Sequence, residues 1–210
     1  MEPIVEEISR KLSFLPRHKY SVEVSFFDFL DRVRMEEMSL RRRGMWDVYH
    51  PWLNMFVPRS RIADFRDSLL DTISPPTFQG LILIYPMLRE KWDSNTSAVL
   101  PELDSTSENV IYVVGILRSA DTRTCTRQCL EAILAQNRRI VGAATEPRMG
   151  AKQYLAHHSG PGERQWREHF GGKWERFSAR KSEFDPLGIL APGQGIFRRK
   201  WGKESSGQIR

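Results

Sequence analysis

At 210 residues the chain is long enough for one domain, or one large domain with an appendage, and a fold of this size buries roughly 70% of its unfolded surface. Hydrophobic residues at 40% and aromatics at 10% exclude disorder over most of the length, and the charged fraction of 28% is ordinary. The net charge of +6 raises nucleic acid as a partner, but the charge gathers only in Arg41-Arg42-Arg43 and Arg198-Arg199-Lys200, short runs that read as solvated helix faces or termini. No zinc-finger spacing or RNP-like motif accompanies them, so no nucleic-acid partner is expected.

Residues 1–16 predict a short amphipathic helix, with Val5, Ile8 and Leu12 on one side and Pro16 as its stop. Ser25 to Arg43 predicts a stronger helix carrying Phe26, Phe27, Leu30, Val33, Met38 and Leu40, ended by Gly44. The apolar run Trp52 to Val57, held between Pro51 and Pro58, suits a buried strand. A helix from Ser60 follows, with Ile62, Phe65, Leu69, Leu70 and Ile73 on one face and Pro75-Pro76 as its stop. Gly80 to Tyr85 is almost wholly apolar and predicts a strand covered on both faces. Residues 92–108 have the composition of a loop.

Asn109 to Leu117 predicts a third strand, and Thr124 to Val141 a helix with Leu130, Ile133 and Leu134 inward. Residues 155–162 read as a loop, and Glu163 to Ser182 as one polar helix with Trp166, Phe170, Trp174 and Phe177 at spacing three and four. The tail beyond Trp201 reads as disordered. Strands separated by single helices predict an α+β fold, with helices packed on a sheet.

Cys125 and Cys129 are too few for a disulfide framework and too far apart for a Cys-x-x-Cys redox pair, so ordinary thiols are expected. The histidines His18, His50, His157, His158 and His169 show no metal-ligand spacing, so no metal is expected. No apolar run approaches the length of a membrane span, and Met1 to Glu7 lacks the apolar stretch of a signal peptide, so no membrane partner is expected.

Trp52 and Asn54 lie two apart in a predicted strand and can therefore line one cavity. A flat indole and a neutral amide suit a planar purine, which carries both donors and acceptors. The alternative is a core Trp52 with Asn54 ending the strand. Tyr154, beside Leu155, either contacts a cofactor or packs. Pro192-Gly193-Gln194-Gly195 is a tight turn that either brings an amide to a ligand or is a plain surface turn; it lacks the fingerprint of a phosphate loop. Glu36-Glu37, with Arg34 and Arg41 nearby, reads as a solvated pair, and no Gly-x-Ser-x-Gly element occurs. The residues alone indicate a basic α+β domain with an aromatic pocket and no assignable reaction.

Two dense motifs go further. They are His50-Pro51-Trp52-Leu53-Asn54-Met55-Phe56-Val57-Pro58 and Phe184-Asp185-Pro186-Leu187-Gly188-Ile189-Leu190-Ala191-Pro192-Gly193-Gln194-Gly195-Ile196-Phe197. Between and around them, in order, stand Asp28 to Val33 with Leu40-Arg41, Leu83-Ile84-Tyr85-Pro86-Met87, Lys91-Trp92-Asp93, Ser97-Ala98-Val99 and Leu117-Arg118-Ser119-Ala120. Gln136-Asn137, Lys152-Gln153-Tyr154-Leu155, His169-Phe170-Gly171, Trp174 and Arg180-Lys181 complete the series. Together these resemble the C-terminal part of plant cytokinin dehydrogenases, flavoenzymes of the vanillyl-alcohol-oxidase type, from about Phe29 to Phe197.

The resemblance implies FAD as cofactor and cytokinins of the N6-isopentenyladenine and zeatin type as ligands, and leaves the electron acceptor open. It implies that residues 1–150 are an N-terminally incomplete cytokinin-binding domain, that 151–200 return to complete a flavin domain, and that 201–210 are tail. Trp52 and Asn54 would sit near the adenine and its side chain, Val33 and Leu117 would line the apolar wall, and Leu155 would lie close to the cytokinin. Tyr154 and Gln194 would contact the flavin. In such enzymes an aspartate takes the amine proton, a hydride passes to the flavin, and the imine hydrolyses to adenine and an aldehyde.

That aspartate, the histidine that attaches FAD covalently and the phosphate-binding loop would all lie upstream of Met1, so no catalytic residue is expected in this chain. The departures are Tyr49 and Ala156, each at a position where the family has Pro, and the stretch Thr145–Met149. The alternative reading is a truncated remnant or cytokinin-binding module without catalysis. Family members are commonly extracellular, with some vacuolar or cytosolic.

Overall fold

The computed structural model describes residues 3–73, 78–102, 109–155, 162–190 and 196–197. The expected turns at Pro75-Pro76 and at Pro192-Gly193-Gln194-Gly195, the His157-His158 loop and the tail beyond Trp201 lie outside these residues. The chain divides into two compact units, Met1–Asp47 and Val48–Arg210.

The first unit is helical. Helix α1 spans Pro3–Arg10, shorter than the expected 1–16, and a 3-10 turn covers Pro16–His18. The single helix expected over Ser25–Arg43 is two, α2 (Phe26–Leu30) and α3 (Arg32–Arg42), parted at Asp31. Ser25 caps the first by accepting the amide of Asp28 at 3.0 Å. Asp31 parts them because a short carboxylate favours helix ends, and here it accepts Arg34 Nε at 2.7 Å. Arg41 pairs with Glu37 and Asp47, so part of the arginine run serves as a solvated ion-pair face. No residue of α2 or α3 is buried.

The second unit is built on a four-stranded antiparallel sheet of order β2-β3-β1-β4. The strands are β1 (Leu53–Pro58), β2 (Leu81–Leu88), β3 (Val110–Leu117) and β4 (Lys152–Leu155). Helix α4 (Ile62–Thr72) follows a 3-10 turn at Arg59–Arg61, and α5 (Arg127–Ala144) joins β3 to β4. On β1, Leu53, Met55 and Val57 point to one face, where they meet Phe65, Leu69 and Ile73 near α4, Val114 and Ile116 of β3, and Ile140 and Ala144 of α5. Each such side chain, taken fully out of water, contributes about 1.5–3 kcal/mol. The fully buried residues of α5 are Asn137, Ile140 and Ala144, while Leu130, Ile133 and Leu134 are half-buried, so the C-terminal half of the helix lies over the sheet.

Strand β2 corrects an expectation. It is an edge strand, and Leu81, Ile84, Tyr85 and Leu88 are exposed rather than covered. Helices α4 and α5 cap β1 and β3, and a continuous apolar run at the edge mimics a buried strand in sequence without being one.

The long polar helix expected over Glu163–Ser182 is also two, α6 (Glu163–Phe170) and α7 (Trp174–Phe184), joined by a 3-10 turn at Gly171–Lys173. Gly171 has φ +50°, which side-chain-bearing residues rarely adopt. Trp166, Phe170, Trp174 and Phe177 nonetheless gather in one cluster, with Phe197 stacked on Trp174 at 5.6 Å. Lys173 Nζ donates to the carbonyls of Thr96 and Ala98 at 3.0 and 2.7 Å, tying this cluster to the segment after β2.

Cys125 and Cys129 form a disulfide, which overturns the expectation of free thiols. Cys125 lies one residue before the helix cap Thr126 and Cys129 lies in the first turn, which brings their Cα atoms to 5.3 Å. Two cysteines cannot build a framework, but they can close one short loop.

Candidate functional site

The face of the sheet opposite α4 and α5 carries the site. Strand alternation puts Asn54 and Phe56 there, and the antiparallel register lines them up with residues of β3 and β2. Asn54 stands across from Gly115, which stands across from Leu83; Phe56 pairs with Val113, and Val113 with Tyr85; Leu117 pairs with Leu81. One step beyond the Leu53–Ile116 pair, Trp52 comes level with Leu117. These side chains are apolar or neutral, and Trp52 is 40% exposed.

Gly115 makes room for the amide. A Cβ built on it would lie 3.0 Å from Asn54 Oδ1, tighter than ordinary van der Waals contact, so a larger residue there would push the Asn54 side chain from its place across β3. The segment before β1 is tightly held. Trp52 N donates to His50 O at 2.7 Å, His50 Nδ1 meets Ser119 Oγ at 2.9 Å, and Ala120 N donates to Tyr49 O at 2.8 Å. Asn137 Nδ2 donates to Pro51 O at 2.9 Å, and Asn137 Oδ1 accepts from Arg118.

At the β4 end the same face is closed. Phe56 is fully buried between Trp92, edge-on at 5.6 Å, and Tyr154, tilted at 4.8 Å. Tyr154 remains 39% exposed and, with Gln153, Val99, Trp166, His169 and Phe170, lines a cavity of about 170 Å³. Burial, followed by the nearby charge of Lys152, lowers the His169 pKa to about 4, so its imidazole is neutral at physiological pH. The indole N–H groups of Trp166 and Trp174 are buried without a hydrogen-bond partner among the described residues.

Asn54 and Leu117 therefore share one face, Tyr154 borders it across Phe56, and Trp52 stands one residue before β1. Leu155 pairs with Asn54 through the backbone, and its side chain lies outside the described residues. Val33 stands exposed on α3 of the first unit. Gln194 lies outside the described residues. Sequence reasoning passed over Gly115, Phe56 and the Arg118–Asn137 pair as site residues. A glycine inside the apolar run Val110–Leu117 was the available signal for a close approach. Among the described residues no cluster of His, Cys, Asp or Glu could hold a metal ion, and no helix is long and apolar enough to cross a membrane.

Comparison with known proteins identifies the family. The family described as "Cytokinin dehydrogenase 1, FAD and cytokinin binding" matches residues 1–197. Cytokinin dehydrogenase 3 of Oryza sativa subsp. japonica is 61% identical over 200 residues, covering 95% of this chain and 37% of the relative. Cytokinin dehydrogenase 8 of Oryza sativa subsp. indica is 53% identical, covering 93% and 37%. Cytokinin dehydrogenase 1 of Arabidopsis thaliana is 38% identical over 209 residues, covering 100% and 35%. The chain thus spans little more than a third of the length of these relatives, over their C-terminal region. It belongs to the cytokinin dehydrogenase family, in the region that carries the FAD- and cytokinin-binding description.

Proposed function

We propose that this chain forms the substrate-side part of an FAD-dependent cytokinin dehydrogenase, which removes the N6 side chain of isoprenoid cytokinins to leave adenine and an aldehyde. The observation that carries the reading is the neutral face shared by Asn54 of β1 and Leu117 of β3, with Trp52 one residue before β1 and Gly115 leaving space for the amide. Residues 1–150 are assigned to the cytokinin-binding domain, 151–200 to the part that completes the flavin domain, and 201–210 to the tail.

The chemistry of the face suits a planar, uncharged heteroaromatic ligand. The indole of Trp52 and the side chain of Leu117 hold the adenine plane and exclude water, and the Asn54 amide hydrogen-bonds the purine edge. By resemblance alone, Val33 is assigned with Leu117 to the apolar lining and Leu155 to a place close to the cytokinin. The half-exposed phenol of Tyr154 and the amide of Gln194 contact the flavin. When bound, FAD supplies the hydride acceptor. The described face offers no carboxylate for the substrate proton, so the base is assigned to the remainder of the enzyme.

A second reading is a cytokinin-binding module without catalysis. One experiment separates the two. The chain, alone and joined to the flavin-binding portion of the rice relative, is supplied with FAD, isopentenyladenine and an electron-accepting dye. Retained flavin and dye reduction are expected only when joined, and Trp52→Ala should lower kcat/KM about tenfold or more. An active joined enzyme indifferent to both Trp52→Ala and Asn54→Ala would overturn the site. Ligand binding without turnover in the joined form would favour the module.

A further inference from the structure

The resemblance attached no role to Arg118-Ser119-Ala120 or to Gln136-Asn137, yet these segments hold the buried polar residues among the described ones: Arg118 at 4% and Asn137 at 8% exposure. We infer that Arg118 and Asn137 are positioning residues that lock the Pro51 turn and thereby set the indole of Trp52. The inference rests on the reading of Trp52 as a cytokinin contact only for its consequence, not for the geometry.

The polarity of the network permits one arrangement. A guanidinium can only donate, so the Asn137 oxygen must face Arg118 Nη2 and the Asn137 NH2 must face the other way. There it meets Pro51 O at 2.9 Å. Proline has no N–H, so this carbonyl is the one backbone group by which Pro51 can be gripped. Arg118 is itself held by Gln136 Oε1 at 2.7 Å and by Ile133 O at 3.3 Å, all from α5.

No carboxylate pairs with Arg118 among the described residues, and burial lowers its pKa to about 10, which still leaves it charged at neutral pH. A buried cation spread over neutral acceptors adds little stability compared with an apolar residue of the same size. Its value lies in direction. From the same three residues, Ser119 holds the His50 ring and Ala120 binds Tyr49 O, so the segment 49–52 is stitched down along its length. The Trp52 indole then rests against the His50 imidazole at 5.4 Å between centroids.

The test uses the 210-residue chain carrying 5-fluorotryptophan, with the Trp52 resonance assigned by Trp52→Phe. Asn137→Asp keeps the acceptor for Arg118 and deletes the donor to Pro51. It should displace the Trp52 resonance and speed exchange of the Trp52 amide about tenfold. Ile140→Ala, on the same helix and in the core but away from Pro51, should leave both unchanged despite lower stability. Arg118→Lys, which keeps the charge and loses the fork, should displace the Trp52 resonance in the same way and serves if Asn137→Asp does not fold. An unmoved Trp52 in these variants, or an equal displacement in Ile140→Ala, would overturn the inference. If Trp52 moves as expected while the parent chain, joined to the flavin-binding portion of the rice relative, binds no isopentenyladenine by calorimetry, the positioning stands and the functional reading falls.

Discussion

The two faces of the sheet come from the same four strands, yet one is closed and the other open. Met55 and Val57 of β1 are fully buried under α4 and α5, whereas Trp52, one residue before the same strand, is 40% exposed, and Leu81 and Tyr85 of β2 are more exposed still. The open face is covered at Ile111, which is fully buried, and near β4, where Trp92 and Tyr154 close over Phe56 and the α6–α7 aromatic cluster lines the adjoining cavity. The contrast teaches that apolar character and burial separate where a surface awaits another layer. A contiguous neutral, apolar face on a sheet whose other side is a finished core marks a binding surface.

The largest expected effect tests the closed face. Met55→Ala removes a fully buried side chain beneath two helices and should cost about 2–5 kcal/mol in denaturant unfolding, while Tyr85→Ala on the open face should cost no more than about 0.5 kcal/mol. Equal losses would break the comparison.

The closed end of the open face is tested by pH. The folded-state pKa of His169 is about 4 against an ordinary 6.5, so between these values the unfolded chain binds the extra proton. Stability should therefore fall as pH drops from about 6.5 toward 4, by on the order of 2 kcal/mol once partial solvent access is allowed for, and His169→Phe should remove that slope. A parallel pH dependence in the variant would show that His169 is not in an apolar setting.

Gly115→Ala sharpens the open face itself. Its Cβ would press on Asn54 Oδ1, so a loss of about 1–2 kcal/mol is expected, together with weaker isopentenyladenine binding in the joined enzyme. The smallest effect is expected away from both faces. The disulfide closes a loop between residues only four apart, so Cys125→Ser with Cys129→Ser should cost roughly 1 kcal/mol and leave ligand binding unchanged.

Much of the fold was legible. The run between Pro51 and Pro58 is a strand, Val110–Leu117 is a strand, and the apolar spacing from Ile62 to Leu70 is a helix that buries Phe65 and Leu69. Helix breaks were less legible, because the apolar spacing runs through Asp31 and Gly171 without pause and only the backbone turns there. Of the site, strand periodicity alone predicts Trp52 and Asn54 on one face; in the structure the strand begins at Leu53, so Asn54 lies in it and Trp52 stands one residue before it. Gly115 and Asn137 did not follow, since each acts through a residue distant in sequence: Gly115 through Asn54 and Asn137 through Pro51.

The sequence by itself determined where β1 to β3 and the helices α4 and α5 form, because alternation, helical spacing and proline stops are local properties, while β4 and the breaks at Asp31 and Gly171 were not legible in it. It also carried the ordered motifs by which the family is recognised. Only the tertiary structure decided which face of the sheet stays open, that β2 lies at an edge, that Cys125 meets Cys129, and that a buried arginine grips Pro51 through an asparagine. Apart from the disulfide, whose cysteines are four apart, those outcomes depend on which layers cover which strands and on contacts between segments distant in sequence, such as the 86 residues that separate Pro51 from Asn137. No local pattern encodes them, because the same apolar strand sequence is compatible with burial on one face, on both, or at an edge.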